Sequence, residues 1–176
     1  MSKITTFLTY KQGAEDAAKL YTSVFKNSRI VSISRYGEGS AGAKDEDGNT
    51  VPMPAPGSVM TVAFELDGQP FTALNGGDYE GWRFTEGISL SVDCADQAEV
   101  DAYTEKLTAG GGEIGQCGWI KDRFGLSWQI NPRVLGEMLG DKDPEKAGRV
   151  MQAMLKMKKI DIAELKRAYA GATAKV

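Results

Sequence analysis

The sequence predicts an α+β fold in which a strand–helix–strand–strand–strand module occurs twice and is followed by helices. Apolar residues alternate where strands are expected and recur every three to four residues where helices are expected. The order of these segments then repeats in the second half of the chain, which favours an architectural repeat. We divide the chain into a first module (1–82), a second module (83–132) and a C-terminal helical extension (133–176), which together form one fold unit.

In the first module, the strand Ile4–Tyr10 leads into a helix over Gly13–Phe25, with apolar residues at helical spacing. A second strand, Ser28–Gly37, and a hairpin over Ser58–Gly76 complete the module. Between them, the segment Gly37–Gly57 collects Gly, Pro and charged residues, and almost no apolar ones. This composition predicts a mobile loop that is either a lid or an insertion.

The second module follows the same order. A strand over Phe84–Cys94 precedes a helix that begins with capping residues and ends at the glycines 110–112. Short strands within Glu113–Phe124 and Gly125–Pro132 then flank a turn at Asp122–Gly125. We interpret Asp122 and Arg123 as turn residues rather than catalytic ones, because Asp at a turn accepts hydrogen bonds from its own backbone.

Two helices are expected after Pro132. Asp143 followed by Pro144 marks the start of one helix, and Asp161 with Glu164 three residues later marks the start of the other. The first carries an apolar stripe of Val150, Met151, Met154, Leu155 and Met157. Such a stripe must be covered, either by the sheet of the same chain or by a second subunit.

The composition excludes several classes of function. The formal net charge is −3, which argues against a nucleic-acid or acidic-membrane partner, and the chain of 176 residues contains no histidine. This absence removes His-based catalytic triads and the commonest transition-metal ligand. Cys94 and Cys117 form no CxxC motif, and no signal peptide or membrane span is evident, so we expect a soluble cytoplasmic protein.

The strand around Gln129 has one apolar and one polar face. Leu126, Trp128 and Ile130 alternate with Ser127, Gln129 and Asn131. A polar strand face turns either to bulk water or to a ligand, and Gln can both donate to and accept from a ligand. Both alternatives remain open for Gln129.

The repeated module resembles the vicinal oxygen chelate superfamily of glyoxalase I, bleomycin-resistance proteins and extradiol dioxygenases. More closely, five blocks are similar to its PhnB-like branch, often described as a "3-demethylubiquinone-9 3-methyltransferase" domain: "GAEDAAKLYTSVF", "FELDGQPFTALNGG", "FTEGISLSVDC", "GQCGWIKDRFGLSWQINP" and "AGRVMQAMLKMKKIDIAELKRAYAG". The resemblance implies that the two modules form a U-shaped mixed sheet around a cleft. It also implies a homodimer, because superfamily members commonly pair modules within or between chains.

Methyl transfer does not fit the glycine pattern. Doubly wound S-adenosylmethionine enzymes need a glycine-rich turn that leads from a strand into a helix. The one glycine cluster of that kind, Ala109–Gly115, follows a helix and precedes a strand. We therefore interpret it as a helix terminus and turn.

The metal ligands of the superfamily map onto unsuitable residues. The four positions fall at Thr5 or Phe7, at Leu74 or Asn75, at Gly87, and at Gln129. None of these side chains supplies the imidazole or carboxylate donors that divalent ions prefer. We therefore expect no metal and no cofactor, although Glu65, Glu86 or Asp93 are alternative ligands if a metal is present.

The sequence thus predicts a protein that binds a small organic molecule in its cleft, with no catalytic set visible. The resemblance and strand parity together give the candidate binding residues Thr5, Phe7, Asn75, Ser89, Trp119, Ser127 and Gln129. By the same parity, Thr85, Gly87 and Ser91 would face the cleft with Ile88, Leu90 and Val92 behind them. Trp82 and Trp119 would either stack on a flat ligand or pack in the core. Cys117 has no neighbouring base and is expected to be an inert thiol. Two alternatives stay open: a metal-dependent lyase, isomerase or oxygenase, and a dimeric interaction protein with a vestigial cleft.

Overall fold

A computed structural model describes residues 3–40, 42–77 and 83–172. It divides the chain into two compact units, Met1–Arg83 and Phe84–Val176.

The first unit contains one helix on a four-stranded mixed sheet. Its elements are β1 (Thr6–Tyr10), α1 (Ala14–Val24), β2 (Arg29–Arg35), β3 (Val59–Leu66) and β4 (Gln69–Asn75). The strand order is β1-β4-β3-β2, with β1 parallel to β4 and the other neighbours antiparallel. The predicted strand–helix–strand–strand–strand order is confirmed.

Small residues on α1 let the helix lie close to the sheet. Ala14, Ala17 and Ala18 are fully buried, and Tyr21 lies among them with its ring 6.3 Å from that of Phe64. The sheet contributes alternate residues to this core: Leu8, Tyr10, Val62, Phe64, Leu66, Phe71 and Ala73. The intervening residues of β1 and β4 therefore point away from α1.

The segment 37–57 is irregular, as its composition predicts. It contains a single turn of 3-10 helix, Glu38–Ser40, and a turn in which the Asp45 carboxylate accepts hydrogen bonds from the backbone N–H groups of Asp47 and Asn49. Its two ends are tied together where the backbone N–H of Gly57 donates to the carbonyl of Tyr36. The middle of the loop contains the isolated bridge between Lys44 and Thr50 and local backbone hydrogen bonds, among them those from Val51 N–H to the carbonyl of Ala43 and from Asp45 N–H to the carbonyl of Asn49.

The second unit repeats the first. Its elements are β5 (Leu90–Cys94), α2 (Gln97–Thr108), β6 (Glu113–Ile114), β7 (Trp119–Lys121) and β8 (Ser127–Pro132). The strand order β5-β8-β7-β6 reproduces the order of the first sheet, again with one parallel pair, β5 and β8. The predicted repeat is therefore present at the level of topology, and the α+β fold with two mixed sheets is confirmed.

One strand is shorter than predicted. The strand expected over Phe84–Cys94 begins only at Leu90, and Ile88, expected behind the sheet, is 72% exposed. In the parallel pair, β5 begins at Leu90 opposite Trp128, and none of residues 83–89 pairs with β8. Strand parity therefore cannot be extended back to Thr85 and Gly87.

The turn between β7 and β8 is organised by one buried carboxylate. Asp122 is 3% exposed and accepts hydrogen bonds from the backbone N–H of Phe124 (2.8 Å), the backbone N–H of Leu126 (3.1 Å) and the indole Nε1–H of Trp128 (2.9 Å). Gly125 closes the turn with φ 89°, a conformation that favours glycine. The prediction that Asp122 is a turn residue is confirmed.

Between β8 and residue 172 the structure has three helices, not two: α3 (Arg133–Leu139), α4 (Pro144–Met154) and α5 (Ile162–Tyr169). The missed helix α3 begins directly after Pro132, and Leu135 and Met138 on it are buried. The predicted starts of the other two are confirmed, because the Asp143 side chain accepts from the first turn of α4 and the Asp161 side chain from the first turn of α5.

The three helices form their own apolar cluster. Its buried members are Leu135, Met138, Val150, Ile160 and Leu165, with Met154 and Met157 packed against them. The α4 stripe is therefore covered mainly by its neighbouring helices. Met151 and Leu155 remain 39% and 54% exposed.

The helical extension is fastened to the β6–β7 turn by backbone hydrogen bonds. The N–H groups of Cys117 and Gly118 donate to the carbonyls of Met157 (2.8 Å) and Lys158 (2.7 Å). The side chain of Gln97 adds two hydrogen bonds, to the carbonyl of Ile160 and from the N–H of Ile162. A β-carbon on Gly118 would lie 2.9 Å from the carbonyl oxygen of Ile130, so this close approach requires glycine.

Among the described residues, no helix is both long and apolar enough to cross a membrane.

We predict that limited proteolysis cuts the chain first between Gly37 and Gly57. Most of its described residues are exposed, and most of its backbone hydrogen bonds join residues of the loop itself, so local opening costs little. Mass spectrometry of the first fragments locates the cut. Primary cleavage within α2 or α4 instead would show that the loop is docked.

We predict that Asp122→Ala lowers the free energy of unfolding by about 2–4 kcal/mol, because three N–H donors lose one charged acceptor in a buried turn. Asp47→Ala, at an exposed position in the loop, is the matched control and should cost less than about 0.5 kcal/mol. Urea unfolding monitored by tryptophan fluorescence measures the free energy of unfolding of both variants and of the wild type. Equal stabilities of the two variants would contradict the role assigned to Asp122.

Candidate functional site on the second sheet

The second sheet has one face buried and one polar face. Ile120, Trp128 and Ile130 are buried on the side of α2. Ser91 of β5, Gln129 of β8 and Trp119 of β7 are direct neighbours across the strands on the other side. We call this set, together with Ser89, Ser127 and Asn131, the polar face.

Gln129 lies in the centre of the polar face and is held by one hydrogen bond. Its side-chain Nε2 donates to the Ser89 hydroxyl at 2.8 Å, which fixes the orientation of the amide. Within the described residues, its Oε1 has no hydrogen-bond partner, and the residue is half-buried. The amide therefore presents an oriented acceptor at the surface of the sheet.

Asn131 repeats the arrangement two residues further along the strand. Its Nδ2 donates to the Ser91 hydroxyl at 3.4 Å, a weaker contact than that of Gln129. The two amide–hydroxyl pairs connect β8 to β5 and to Ser89, the residue just before β5, along the polar face. The donors and acceptors on this part of the sheet are thus all uncharged.

Ser127 is an orphaned polar group on the same strand face. It is 1% exposed, and among the described residues its hydroxyl has no hydrogen-bond partner. A buried hydroxyl without a partner is unusual in folded proteins and fits a site for a water or ligand atom.

Ion pairs border the polar face at two edges. Lys121 pairs with Glu86 at 2.8 Å, and Arg133 pairs with Asp93 at 3.0 Å. The hydrogen bond from Lys121 lowers the pKa of Glu86, and the same contact raises the pKa of Lys121. Both charges of that pair are therefore retained at neutral pH, and the centre of the face stays neutral.

Four of the predicted binding residues share this sheet, and three belong to the first unit. Ser89, Trp119, Ser127 and Gln129 are brought together as described above. Phe7 is 57% exposed on the face of the first sheet opposite α1, and Thr5 is exposed just before β1. Trp82 lies outside the described residues.

Asn75 points to the helix side of the first sheet. Its Oδ1 accepts from the backbone N–H of Ala14 at 2.8 Å, and its Nδ2 donates to the carbonyl of Val59 at 3.0 Å. These bonds join the start of α1 to β3 and β4. Its amide is therefore engaged within the fold, and Leu74, the other residue considered for this position, lies on the same face as Phe7.

The carboxylates considered as metal ligands lie apart from one another in the described part of the chain. No group of three or more Cys, Asp or Glu side chains that could hold an ion occurs in the part of the chain that the structure describes. The alternative ligands Glu65, Glu86 and Asp93 each pair with a basic side chain, Glu65 with Arg29 at 2.9 Å. A metal at any of them would have to displace a cation first.

The cysteines and the glycine cluster take structural roles. Burial raises the pKa of the Cys94 thiol to about 12, with smaller contributions from Glu99, Asp93 and Asp96, so it is a poor nucleophile. Cys117 lies half-buried with its Sγ 3.6 Å from the Met154 carbonyl. The glycine cluster ends α2, where the N–H of Gly112 donates to the carbonyl of Thr108, and leads into β6.

Comparison with known proteins agrees with this architecture. Residues 2–131 match the family described as 3-demethylubiquinone-9 3-methyltransferase. A putative 3-demethylubiquinone-9 3-methyltransferase, PhnB protein, from Bacillus cereus is 35% identical; the match covers 74% of this chain and 99% of that one, with a TM-score of 0.61. A Pseudomonas aeruginosa protein, 17% identical over 75% of this chain and 98% of its own, shares the fold with a TM-score of 0.54. No curated protein matches the chain.

The matched region contains both repeated modules and every residue of the polar face, and it ends before the helical extension. The fifth sequence block, in the helical extension, lies beyond the match, and the other four overlap it. The family resemblance is therefore confirmed: the chain belongs to the 3-demethylubiquinone-9 3-methyltransferase-like (PhnB) family of the vicinal oxygen chelate fold.

Proposed function

We propose that this protein binds a small, uncharged organic molecule on the polar face of the second sheet, without a metal ion. The observation that carries the proposal is the hydrogen bonding of the Gln129 side-chain amide. Its amide is oriented by Ser89, and its Oε1 is left without a protein partner among the described residues. An oriented, half-buried acceptor is what a ligand donor requires.

The neighbours of Gln129 supply complementary contacts. Trp119 lies directly across the strand pair and is half-buried, so part of its ring is available for stacking on a flat ligand. Ser127, on the same strand face, adds a hydroxyl that lacks a partner. A neutral ligand with at least one donor and one flat surface suits this combination.

The side chains of the polar face support metal-dependent catalysis less well than metal-free binding. The resemblance aligns Gln129 with the position at which superfamily metalloenzymes carry a carboxylate, and the Gln129 amide nitrogen already donates to the Ser89 hydroxyl. Amide and hydroxyl oxygens without carboxylates hold transition ions weakly. A lyase, isomerase or oxygenase would therefore need ligands outside this set.

Methyl transfer is not part of the proposal, despite the description of the family. The glycine cluster that might contact S-adenosylmethionine ends α2 and leads into a strand, so it opens no helix toward a cofactor. A cytoplasmic location accords with the unpaired cysteines, Cys94 and Cys117.

We predict that Gln129→Ala weakens binding of the ligand found in a thermal-shift screen of small molecules. The expected loss is about 1–2 kcal/mol, roughly 5- to 30-fold in Kd, because one or two hydrogen bonds to the ligand disappear. The free energy of unfolding should change less than the binding energy, since Gln129 is only half-buried.

Gln69→Ala, at an exposed position in the first unit, is the matched control and should leave the ligand Kd unchanged. Isothermal titration calorimetry measures the ligand Kd of the wild type, of Gln129→Ala and of Gln69→Ala. Unaltered binding in Gln129→Ala, with a large loss of stability, would make Gln129 a structural residue and overturn the proposal.

We predict that Gln129→Glu does not create a metal site. A single carboxylate among neutral donors binds divalent ions at about millimolar strength at best, so added Zn²⁺, Mn²⁺ or Ni²⁺ should not raise the melting temperature. Differential scanning fluorimetry with and without each ion measures this. A clear stabilisation of the wild type or of Gln129→Glu would reveal other ligands and favour the metalloenzyme alternative.

A further inference from the structure

We propose that residues 84–89 form a removable cover over the Ser127 hydroxyl, held closed by the ion pair between Glu86 and Lys121. We call these residues the cover segment. The inference rests on the proposed function, because it concerns how a ligand reaches one part of the polar face.

Ser127 is buried although the rest of its strand face is partly open. It is 1% exposed, whereas Gln129 and Asn131, the next residues on the same face of β8, are half-buried. Among the described residues, its hydroxyl has no hydrogen-bond partner. Other atoms of the chain therefore lie over Ser127 without satisfying its hydroxyl.

The ion pair between Glu86 and Lys121 crosses β8 at the level of Ser127. Strand β8 lies between β5 and β7 in the sheet. Lys121 on β7 is directly opposite Ser127, and opposite residues of antiparallel strands point to the same face. Glu86 precedes β5, on the other side of β8, and its Oε1 lies 2.8 Å from the Lys121 Nζ. The cover segment therefore reaches over β8 on the face from which Ser127 projects.

The cover segment is attached to the sheet by side chains. The ladder between β5 and β8 begins at Leu90, so strand pairing with β8 does not hold residues 84–89. The Ser89 hydroxyl accepts from Gln129 at one end of the segment, and the ion pair holds its middle. The Lys121 and Glu86 side chains are 39% and 65% exposed, and exposed ion pairs are weak. The segment can therefore leave Ser127 while the four strands stay paired.

Opening of the cover gives a ligand access to a second hydrogen-bonding group. The Ser127 hydroxyl can donate or accept, and it lies two residues from Gln129 on the same face of β8. A ligand that contacts both side chains has to wait for the cover to open. The ion pair thus controls how fast that part of the polar face is occupied.

Alkylation of a Ser127→Cys variant by iodoacetamide measures this opening without any ligand. Its outcome therefore does not depend on whether the proposed function is correct. Cysteine is close to serine in size, and melting curves verify the fold of each variant. Peptide mass spectrometry separates the thiol at position 127 from Cys94 and Cys117.

In the Ser127→Cys protein, Glu86→Gln and Lys121→Met should each speed alkylation at position 127 about two- to fivefold, because each removes the ion pair. The two substitutions change the local charge in opposite directions, so their direct effects on ionisation of the thiol have opposite signs. Acceleration by both variants therefore indicates opening of the cover.

Two further variants are the controls. Glu86→Lys combined with Lys121→Glu restores the pair with its charges exchanged and should return alkylation to the slow rate. Asp93→Asn removes the carboxylate of the other ion pair beside the polar face and should leave the rate unchanged.

Chymotrypsin cleavage after Phe84 is a second measurement, made on proteins that keep Ser127. A protease requires the segment to leave the sheet, so Glu86→Gln and Lys121→Met should both accelerate this cut. Alkylation or cleavage rates that do not change, or that rise in one variant and fall in the other, would show that other atoms cover Ser127 and would overturn the inference. Faster alkylation and cleavage in both variants, in a protein that binds no screened molecule, would support the cover and count against the proposed function alone.

Discussion

The second unit depends on how one buried carboxylate is satisfied. Asp122 receives two backbone N–H groups of its own turn and the indole N–H of Trp128, so the turn and the first residues of β8 are fixed together. Because the indole must reach inward to Asp122, Trp128 is committed to the buried face. Alternation along a strand then places Gln129 on the opposite face.

The burial of Trp128 determines which side chains lie on the polar face. With Gln129 turned outward between β5 and β7, its amide meets the Ser89 hydroxyl and its neighbour across the strand is Trp119. A slip of one residue would exchange Trp128 for Gln129 in the core, where the indole would lose its acceptor and the amide would lack partners. The buried carboxylate therefore determines the position of the candidate site, although it lies outside it.

Much of this architecture could be predicted from local sequence signals. The Asp caps of α4 and α5, the glycine-rich end of α2 and the alternation along β8 each follow from short-range chemistry, and the structure confirms them. Local sequence signals gave wrong boundaries for one strand and missed one short helix. The segment 84–89 has strand composition, but none of its residues pairs with β8. Helix α3 was not predicted because it has only seven residues, follows Pro132 and contains Gly136, so its apolar repeat is short.

The positions of the candidate binding residues were predictable only in part for the same reason. Parity along β8 placed Gln129 and Ser127 on one face, but it did not show that Ser127 is buried or that Ser89 orients the amide. The sequence left open whether residue 74 or residue 75 faces the cleft. In the structure, the Asn75 side chain accepts a hydrogen bond from the backbone N–H of Ala14 at the start of α1. One residue of register reverses the direction of a strand side chain, so contacts across strands are needed to assign such positions.

The central claim is that the polar face recognises its ligand with neutral donors and acceptors, not through a metal ion. Elemental analysis by mass spectrometry of protein purified without chelators tests this most directly. The account predicts well below one equivalent of any divalent transition metal per chain after gel filtration. One tightly held equivalent in the wild type, lost in Gln129→Ala, would contradict it.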